Sequence, residues 1–294
     1  MTGPIARQPR LVSVVVPVRD ERRHLEQQLD AIAAQDYAGP WELVVSDDGS
    51  RDGSFELAER WTREHGLGRA VAAGVARGPG AARNAGARAA RGDLLAFCDA
   101  DDVVATDWLT ELVAAAAGAD LVGGGHDAEL LNEAPQRGCL DVHDPGERAH
   151  GYAPVAAGSN LAIWRDAFEA LGGFDEAHPT GEDVALSWSA AQAGLRYTAA
   201  TRAVVHKRFA PSMHAIGAQF YAYGRGDAWL FRRFGAAGMR RHTPRELLGV
   251  WTELLGGVLR LPGASACDRC RWVVLAAVTA GRMAGSVHQR VIFL

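Results

Sequence analysis

The apolar residues in the first half of the chain form short runs that alternate with amphipathic segments. Residues 11–18 and 41–46 are nearly continuous apolar runs rich in valine, which is typical of strands buried on both faces of a parallel sheet. Between these two runs, Leu25, Leu29 and Ile32 recur at helical spacing. Further strands, separated by helical patterns, are predicted at residues 69–73, 93–98 and 120–123. About five alternations of strand and helix predict an α/β fold with a mostly parallel, Rossmann-like sheet flanked by helices.

The second half of the chain is less regular. Residues 125–156 are rich in Gly, Pro and charge, and we expect a long loop or lid there. Strands are predicted at residues 158–164 and 196–205, and helices at 165–171 and 183–194. Two local expectations are a loop at residues 78–80 and a helix capped by Thr106. The predicted organisation is a flexible N-terminus (1–10), an α/β domain (11–206) and a helical C-terminal region (207–294).

Composition and charge add a second difference between the two halves. Hydrophobic residues make up 48% and charged residues 22% of the chain, which is ordinary for a folded protein. The net charge of -4 is uneven, because residues 207–294 hold 13 Lys and Arg against 4 Asp and Glu. Such a basic region could face anionic lipid, phosphate or nucleic acid, or its arginines could simply be solvated.

The chain shows no sign of crossing a membrane. The apolar run at residues 11–18 is too short for a signal peptide, and no stretch reaches the roughly 20 apolar residues of a membrane span. Cys267 and Cys270 lack a second pair of ligands for a zinc site, and the sparse cysteines fit a reducing compartment. We therefore expect a cytoplasmic protein, with peripheral contact at the inner face of the membrane through the basic region and no nucleic-acid partner.

Polar clusters follow three of the predicted strands. They are Arg19-Asp20, Asp47-Asp48 and the acidic turn Asp99-Ala100-Asp101-Asp102. Ligands of open α/β sheets bind outside the carboxyl ends of the strands, so these clusters are expected to converge on one site. The carboxylates of the acidic turn repel one another, and Mn²⁺ or Mg²⁺ would relieve that repulsion. The structural alternative to a cation site is an acidic turn that is simply solvated. For Asp47, the structural alternative is that its side chain only caps the turn.

Seven short motifs occur in order along residues 11–206. They are Val14-Val-Val-Pro-Val-Arg-Asp-Glu21, Val44-Val-Ser-Asp-Asp-Gly-Ser50 with Asp52-Gly53, Gly80-Ala-Ala-Arg-Asn-Ala-Gly86, Phe97-Cys-Asp-Ala-Asp-Asp102, Gly158-Ser-Asn-Leu-Ala162, Gly172-Gly-Phe-Asp175 and Gly181-Glu-Asp183. With these motifs the chain resembles the family 2 glycosyltransferases, which have the GT-A fold. The resemblance implies transfer of a sugar, with inversion, from a nucleotide diphosphate sugar to an acceptor hydroxyl. UDP is the expected nucleotide, and the acceptor is expected to be a polysaccharide, a lipid-linked intermediate or a natural product.

The resemblance also implies a role for each matched residue. It implies Asp183 as the general base that deprotonates the acceptor, and Asp101, with Asp99 and His206, as metal ligands. Nucleotide contacts are implied for Pro17, Val18, Arg19, Glu21, Asp48, Arg83, Asp99 and Ala100. Contacts to the sugar or acceptor are expected from Asn160, Gly181, Glu182 and Trp164.

Structural alternatives stand beside several of these roles. Asp183 could cap its helix, Arg83 could be a surface charge, His206 could be an ordinary strand-end histidine, and Trp164 is more typical of a core residue than of a sugar platform.

Two other enzyme classes and one binding function are alternatives to the glycosyltransferase. Residues 78–83 nearly match a dinucleotide fingerprint, but Arg83 stands where its third glycine belongs, which argues against a dehydrogenase. A sugar nucleotidyltransferase would need a Gly-rich loop after the first strand, where residues 19–23 contain no glycine. A catalytically inactive nucleotide-sugar binding module remains an alternative, although it would have no need for Asp183.

Overall fold

The computed structural model describes residues 6–74, 77–133, 139–178 and 180–294. Contacts divide the chain into two compact units. The first unit comprises Met1–Asp127, His143–Arg148 and Ala153–Lys207, and the second comprises Ala128–Val142, Ala149–Tyr152 and Arg208–Leu294. Part of the predicted loop at residues 125–156 therefore belongs to the helical second unit.

Within the described residues, the first unit is built on an eight-stranded sheet with the spatial order β3-β2-β1-β4-β9-β6-β10-β5. The strands, including a separate β7–β8 pair, are β1 Val12–Val18, β2 Trp41–Asp47, β3 Arg69–Ala72, β4 Leu94–Cys98, β5 Val103–Val104, β6 Leu121–Asp127, β7 Arg148–Ala149, β8 Ala153–Pro154, β9 Asn160–Trp164 and β10 Tyr197–His206. β1 to β4 run parallel, as do β6 and β10. β9 enters between β4 and β6 in the opposite direction, so the sheet is mixed although mostly parallel.

Helices cover this sheet. They are α1 Leu25–Ala33, α2 Ser54–His65, α3 Pro79–Ala89, α4 Trp108–Ala116, α5 Arg165–Ala170 and α6 Glu182–Gln192. The valines of β1 are almost fully buried, as are Leu25, Leu29 and Ile32 on one face of α1. Burial of each such side chain stabilises the fold by roughly 1.5–3 kcal/mol, so the predicted apolar periodicities account for the core.

Three local expectations were wrong. α3 begins at Pro79, because a proline at the first helical position costs no hydrogen bond, so the predicted loop at residues 78–80 is mostly helix. α4 is preceded by Asp107 rather than capped by Thr106, and neither side chain caps it. The predicted loop at residues 125–156 contains regular structure, because β6 continues to Asp127 and two short strands follow, while residues 134–138 of this segment lie outside the described residues.

The second unit is helical, with α7 Met213–Phe234, α8 Pro244–Arg260 and α9 Ala266–Gln289. α7 and α9 cross closely, since a Cβ on Gly224 would collide with the backbone of Val278, and one on Gly281 with that of Tyr221. Capping boxes start α8 and α9. None of the helices in the described part of the chain combines the length and the apolar character that crossing a bilayer requires.

Candidate active site

The predicted polar clusters converge at the carboxyl edge of the parallel strands. β1 pairs in register with β2 and with β4, so their carboxyl ends lie side by side. The guanidinium of Arg19, half exposed, lies 3.7 Å from an oxygen of Asp48. Arg51 donates its amide to Asp20 at 2.7 Å, which joins the loops after β1 and β2. The backbone of Pro17 and Val18 also lies at this edge, where the amide of Asp48 donates to the carbonyl of Val18.

The two aspartates after β2 hold backbone. Asp47 accepts the amides of Gly49 and Ser50, so it caps the turn, as the structural alternative for this residue predicts. Asp48 is 2% exposed and accepts the amides of Arg77 and Gly78 at 2.9 and 2.8 Å. Both oxygens of Asp48 therefore fasten the chain just ahead of α3, a role that was not predicted for it.

The acidic turn after β4 brings three carboxylates together. Oxygens of Asp99, Asp101 and Asp102 lie within 4.8 Å of one another, while Ala100 between them is buried. Burial and the neighbouring aspartates raise the pKa of Asp102 to about 7, and burial and Asp99 raise the pKa of Asp101, in both cases against the effect of Lys207. Burial also raises the pKa of Asp99, but there Arg83 and Lys207 outweigh it and hold that pKa below its usual value.

Two cations pair with this turn, the buried Arg83 and the partly buried Lys207. The Nζ atom of Lys207 lies 2.8 Å from Asp102 and 3.4 Å from Asp99. Arg83 in α3 donates to Asp99 and to Glu182, both at 2.7 Å, and its guanidinium packs over the ring of Phe174. Arg83 is thus a buried link between α3, the acidic turn and the start of α6, and the alternative of a surface charge is wrong because the side chain is 5% exposed.

The start of α6 supplies two further carboxylates. Gly181 precedes the helix with φ +82, a conformation that glycine adopts without strain. Glu182 is buried, and burial together with Asp183 raises its pKa to about 7 despite Arg83. Asp183 is half-buried and accepts the amide of Gly158 at 2.7 Å. It is the second residue of α6, so the alternative that it is the helix cap is wrong.

Asn160 and Trp164 are core residues, and their predicted contacts to sugar or acceptor are contradicted. Asn160 is fully buried, accepts from the indole of Trp108 and donates to the carbonyls of Gly125 and Ala203. Trp164 lies opposite Leu94 at the far edge of the sheet, because β9 runs antiparallel to β4. Its indole donates to the carbonyls of two α4-region residues, Ala116 and Ala119.

His206 does not join the three carboxylates of the acidic turn. Its Nδ1 lies 2.8 Å from Asp127, at the end of the neighbouring strand β6. Successive side chains at a strand end point to opposite sides, so Lys207 rather than His206 reaches the turn. The predicted metal contact of His206 therefore does not match this arrangement.

Two residues of the site were not predicted from the sequence. Lys207 is one, and it is the only lysine in the 294-residue chain. Gln28 is the other, fully buried, with its amide group donating to the carbonyl of Asp99 and accepting the amide of Val104. Gln28 could have been recognised in the sequence as a polar residue on the otherwise apolar face of α1, between Leu25 and Ile32. Glu21, also predicted at the site, lies 3.1 Å from His24, and burial raises its pKa.

Solved structures share this fold. The mannosyltransferase PcManGT from Pyrobaculum calidifontis, in complex with GDP-Man and Mn²⁺, superposes with a TM-score of 0.65 at 21% identity, covering 97% of this chain and 89% of that protein. Residues 1–349 of Staphylococcus aureus TarS, in complex with UDP-GlcNAc, superpose with a TM-score of 0.53 at 15% identity, covering 96% and 93%. The fold is therefore the GT-A fold, as predicted.

Sequence comparison gives the family. Glycosyltransferase AglE of Haloferax volcanii is 30% identical over 192 residues, which cover 64% of this chain and 63% of AglE. The matches thus span less than two thirds of the length of such relatives, and for TarS, at 29% identity, only 18%. The model of glycosyl transferase family 2 matches residues 13–171, more than half of the chain. This match covers the sheet edge that carries Asp48, Arg83 and the acidic turn, and the chain belongs to glycosyl transferase family 2.

Proposed function

We propose that this chain transfers a sugar, with inversion, from a nucleotide diphosphate sugar to an acceptor hydroxyl, and that it requires a divalent cation. The observation that carries the proposal is the group of three carboxylates after β4, with oxygens within 4.8 Å of one another at the carboxyl edge of the sheet. Asp183 stands in electrostatic contact with Arg83, which also pairs with Asp99. One edge thus offers a cation site and a carboxylate for proton transfer.

The donor groups fit a hard divalent cation. All three offer carboxylate oxygen, the atom that Mn²⁺ and Mg²⁺ prefer. Burial, and after it the charge of Asp99, raises the pKa of Asp101, and a bound cation would offset both effects. We propose Asp101 and Asp99 as the residues that hold it. When bound, the cation would neutralise the charge that grows on the departing diphosphate.

Asp183 is the proposed general base. The amide of Gly158 fixes one of its oxygens, and partial exposure leaves the carboxylate open to an acceptor. A carboxylate that takes the acceptor proton as the hydroxyl attacks the sugar opposite the leaving group supports a single displacement and hence inversion.

The proposed donor is a UDP-sugar. PcManGT is described with GDP-Man, and TarS with UDP and UDP-GlcNAc, so both relatives of the fold support a nucleotide diphosphate sugar as donor. Melting temperatures measured with UDP-, GDP- and dTDP-sugars in the presence of Mn²⁺ would identify the nucleotide, since a ligand that binds only the folded state raises stability.

Asp101→Ala tests the metal requirement. We expect the variant to bind UDP with the same affinity with and without Mn²⁺, whereas Mn²⁺ strengthens UDP binding to the wild-type protein, as measured by calorimetry. Release of UDP from the donor sugar should stop in EDTA and resume when Mn²⁺ is added. Full activity in EDTA would remove the metal from the mechanism.

The second unit is the proposed contact with a membrane surface and with a polysaccharide, lipid-linked or natural-product acceptor. α8 docks on α9 by one face, where Leu254 is buried and its carbonyl accepts the indole NH of Trp272. Its other face is apolar and exposed, with Leu248, Trp251, Leu255, Val258 and Leu259 at helical spacing. α8 itself carries two arginines and two glutamates, with Arg260 paired to Glu253, but the region from residue 207 onward has an excess of arginine, which favours an anionic lipid surface.

A further inference from the structure

Lys207 is unusual in the composition of this chain. The other basic side chains among the 31 Lys and Arg are all arginines, and the single lysine follows the last strand of the sheet, directly beside the acidic turn. Its amide donates to the carbonyl of Asp127 at 2.7 Å, so the backbone at this position is held by β6. The side chain therefore starts from a fixed point and extends toward the turn.

The ammonium of Lys207 contacts Asp99, one of the two residues proposed to hold the cation, and Asp102 of the same acidic turn. Its Nζ lies 2.8 Å from Asp102, which is fully buried, and 3.4 Å from Asp99. A divalent cation held by the same group of oxygens would stand within a few ångströms of that ammonium. Water and salt screen such a repulsion poorly in a site where Lys207 itself is about three-quarters buried.

We propose that the ammonium of Lys207 takes the place of the divalent cation in the metal-free protein and leaves Asp99 and Asp102 when the ion binds. The inference rests on the proposed metal requirement. The exchange keeps the acidic turn neutralised at every stage, so the turn holds its shape before the metal arrives. Lysine suits this role, because a compact ammonium on a flexible stem can move away, whereas the planar fork of an arginine binds two oxygens at once.

Competition with the ammonium of Lys207 makes metal binding weaker than the carboxylates alone would allow. The variant Lys207→Gln removes this competition and so tests the exchange. We expect this variant to bind Mn²⁺ about tenfold more tightly than the wild-type protein, measured by calorimetry with Mn²⁺ alone. Arg202→Gln is the matched control, since it removes one charge from the same strand but from an exposed residue paired with Glu111, and its affinity should stay within about twofold of wild type. Equal or weaker binding by Lys207→Gln overturns the exchange.

The exchange can also be tested on the wild-type protein, so that the result does not depend on whether a variant folds. Lys207 is the only lysine in the sequence, so lysine acetylation by an amine-reactive ester reports on this side chain alone. The extent of acetylation is measured by mass spectrometry of the digested protein. We expect slow modification in EDTA and at least about fivefold faster modification at saturating Mn²⁺, with the amino-terminal amine as internal reference.

The outcomes separate the two proposals. An unchanged modification rate while Mn²⁺ is bound overturns the exchange and leaves the metal requirement intact. Absence of Mn²⁺ binding by both wild type and Lys207→Gln removes the metal requirement itself, and the exchange falls with it.

Discussion

Residues that belong to one acidic patch have different surroundings, and these surroundings separate their roles. Asp102 is fully buried against Lys207, Asp99 is shared between Arg83 and Lys207, and Glu182 is buried against Arg83. Asp183, by contrast, is half-buried, and its two oxygens accept the backbone amides of Gly158 and Val184. A carboxylate held by backbone amides, rather than by a close ion pair as in Asp99 and Glu182, is the one suited to accept a proton from a substrate.

Asp183→Asn tests the role of Asp183 as the general base. The amide oxygen of asparagine can still accept the Gly158 amide, so the local structure should persist, but asparagine cannot take the acceptor proton. We expect sugar transfer to fall about 10²- to 10⁴-fold, with the affinity for UDP, measured by calorimetry, close to wild type. If UDP binding is lost together with transfer, Asp183 belongs to the nucleotide site instead.

The sequence predicts where the site lies better than what each side chain contacts. Strand ends can be located from apolar runs, so the convergence of Asp48 with the acidic turn is foreseeable. The partners of a side chain depend on residues distant in the chain, and for this reason the core role of Asn160 was not foreseen. Lys207 was visible as a residue type, but its contact with Asp102 depends on a strand pairing across about 100 positions of sequence.

Elements of the first unit are joined at the opposite edge of the sheet by one buried carboxylate. Glu42 in β2 accepts from Ser13 in β1, from Arg69 in β3 and from the backbone amide and side chain of Arg91 after α3. Burial raises the pKa of Glu42, but these hydrogen bonds outweigh it and lower the pKa to about 2. Three strands and a helix end thus depend on the charge of one residue.

Glu42→Gln should reveal this link as a pH-dependent loss of stability. A lowered folded-state pKa stabilises the protein above the unfolded pKa near 4.5, and that contribution disappears as the pH falls toward about 2. Because Arg91 and Arg69 are partly exposed and solvent screens their charges, we expect the variant to lose about 1–2 kcal/mol in urea unfolding at pH 7, and the difference from wild type to shrink between about pH 4.5 and 2. Glu59→Gln, on the exposed face of α2, is the control. A difference that is the same at pH 7 and pH 3 would contradict the role of the charge.

Element types were predictable because they follow from local periodicity, whereas direction and ends were not. The run that became β9 reads as a buried strand, but its antiparallel direction follows from where the chain re-enters the sheet, between β4 and β6. The start of α4 depends on the backbone at Asp107, whose side chain makes no cap, so cap-forming residue types misplace it.

The whole molecule divides its charge between its two units in a way that suits two kinds of ligand. The acidic residues of the first unit include the turn proposed to hold a cation, and the residues from 207 onward carry the excess of arginine. α8 adds a row of exposed apolar side chains to this basic region, among them Leu255 at 68% and Leu259 at 84% exposure. Exposed apolar surface of this kind, next to arginines, is typical of a surface that meets lipid.

Flotation with liposomes tests that surface. We expect the wild-type protein to float with vesicles that contain anionic phosphatidylglycerol and to float much less with neutral vesicles or at high salt, because arginine attraction is screened. The double variant Leu255→Gln and Leu259→Gln should bind these vesicles at least about tenfold more weakly, since two apolar side chains no longer enter the interface. Val287→Gln, which changes an equally exposed side chain on α9, should bind like wild type. Because these side chains are already exposed, melting temperatures should not change, and weaker flotation can be assigned to the surface of α8. A wild-type protein that stays with the soluble fraction at low salt would exclude lipid as the partner of α8.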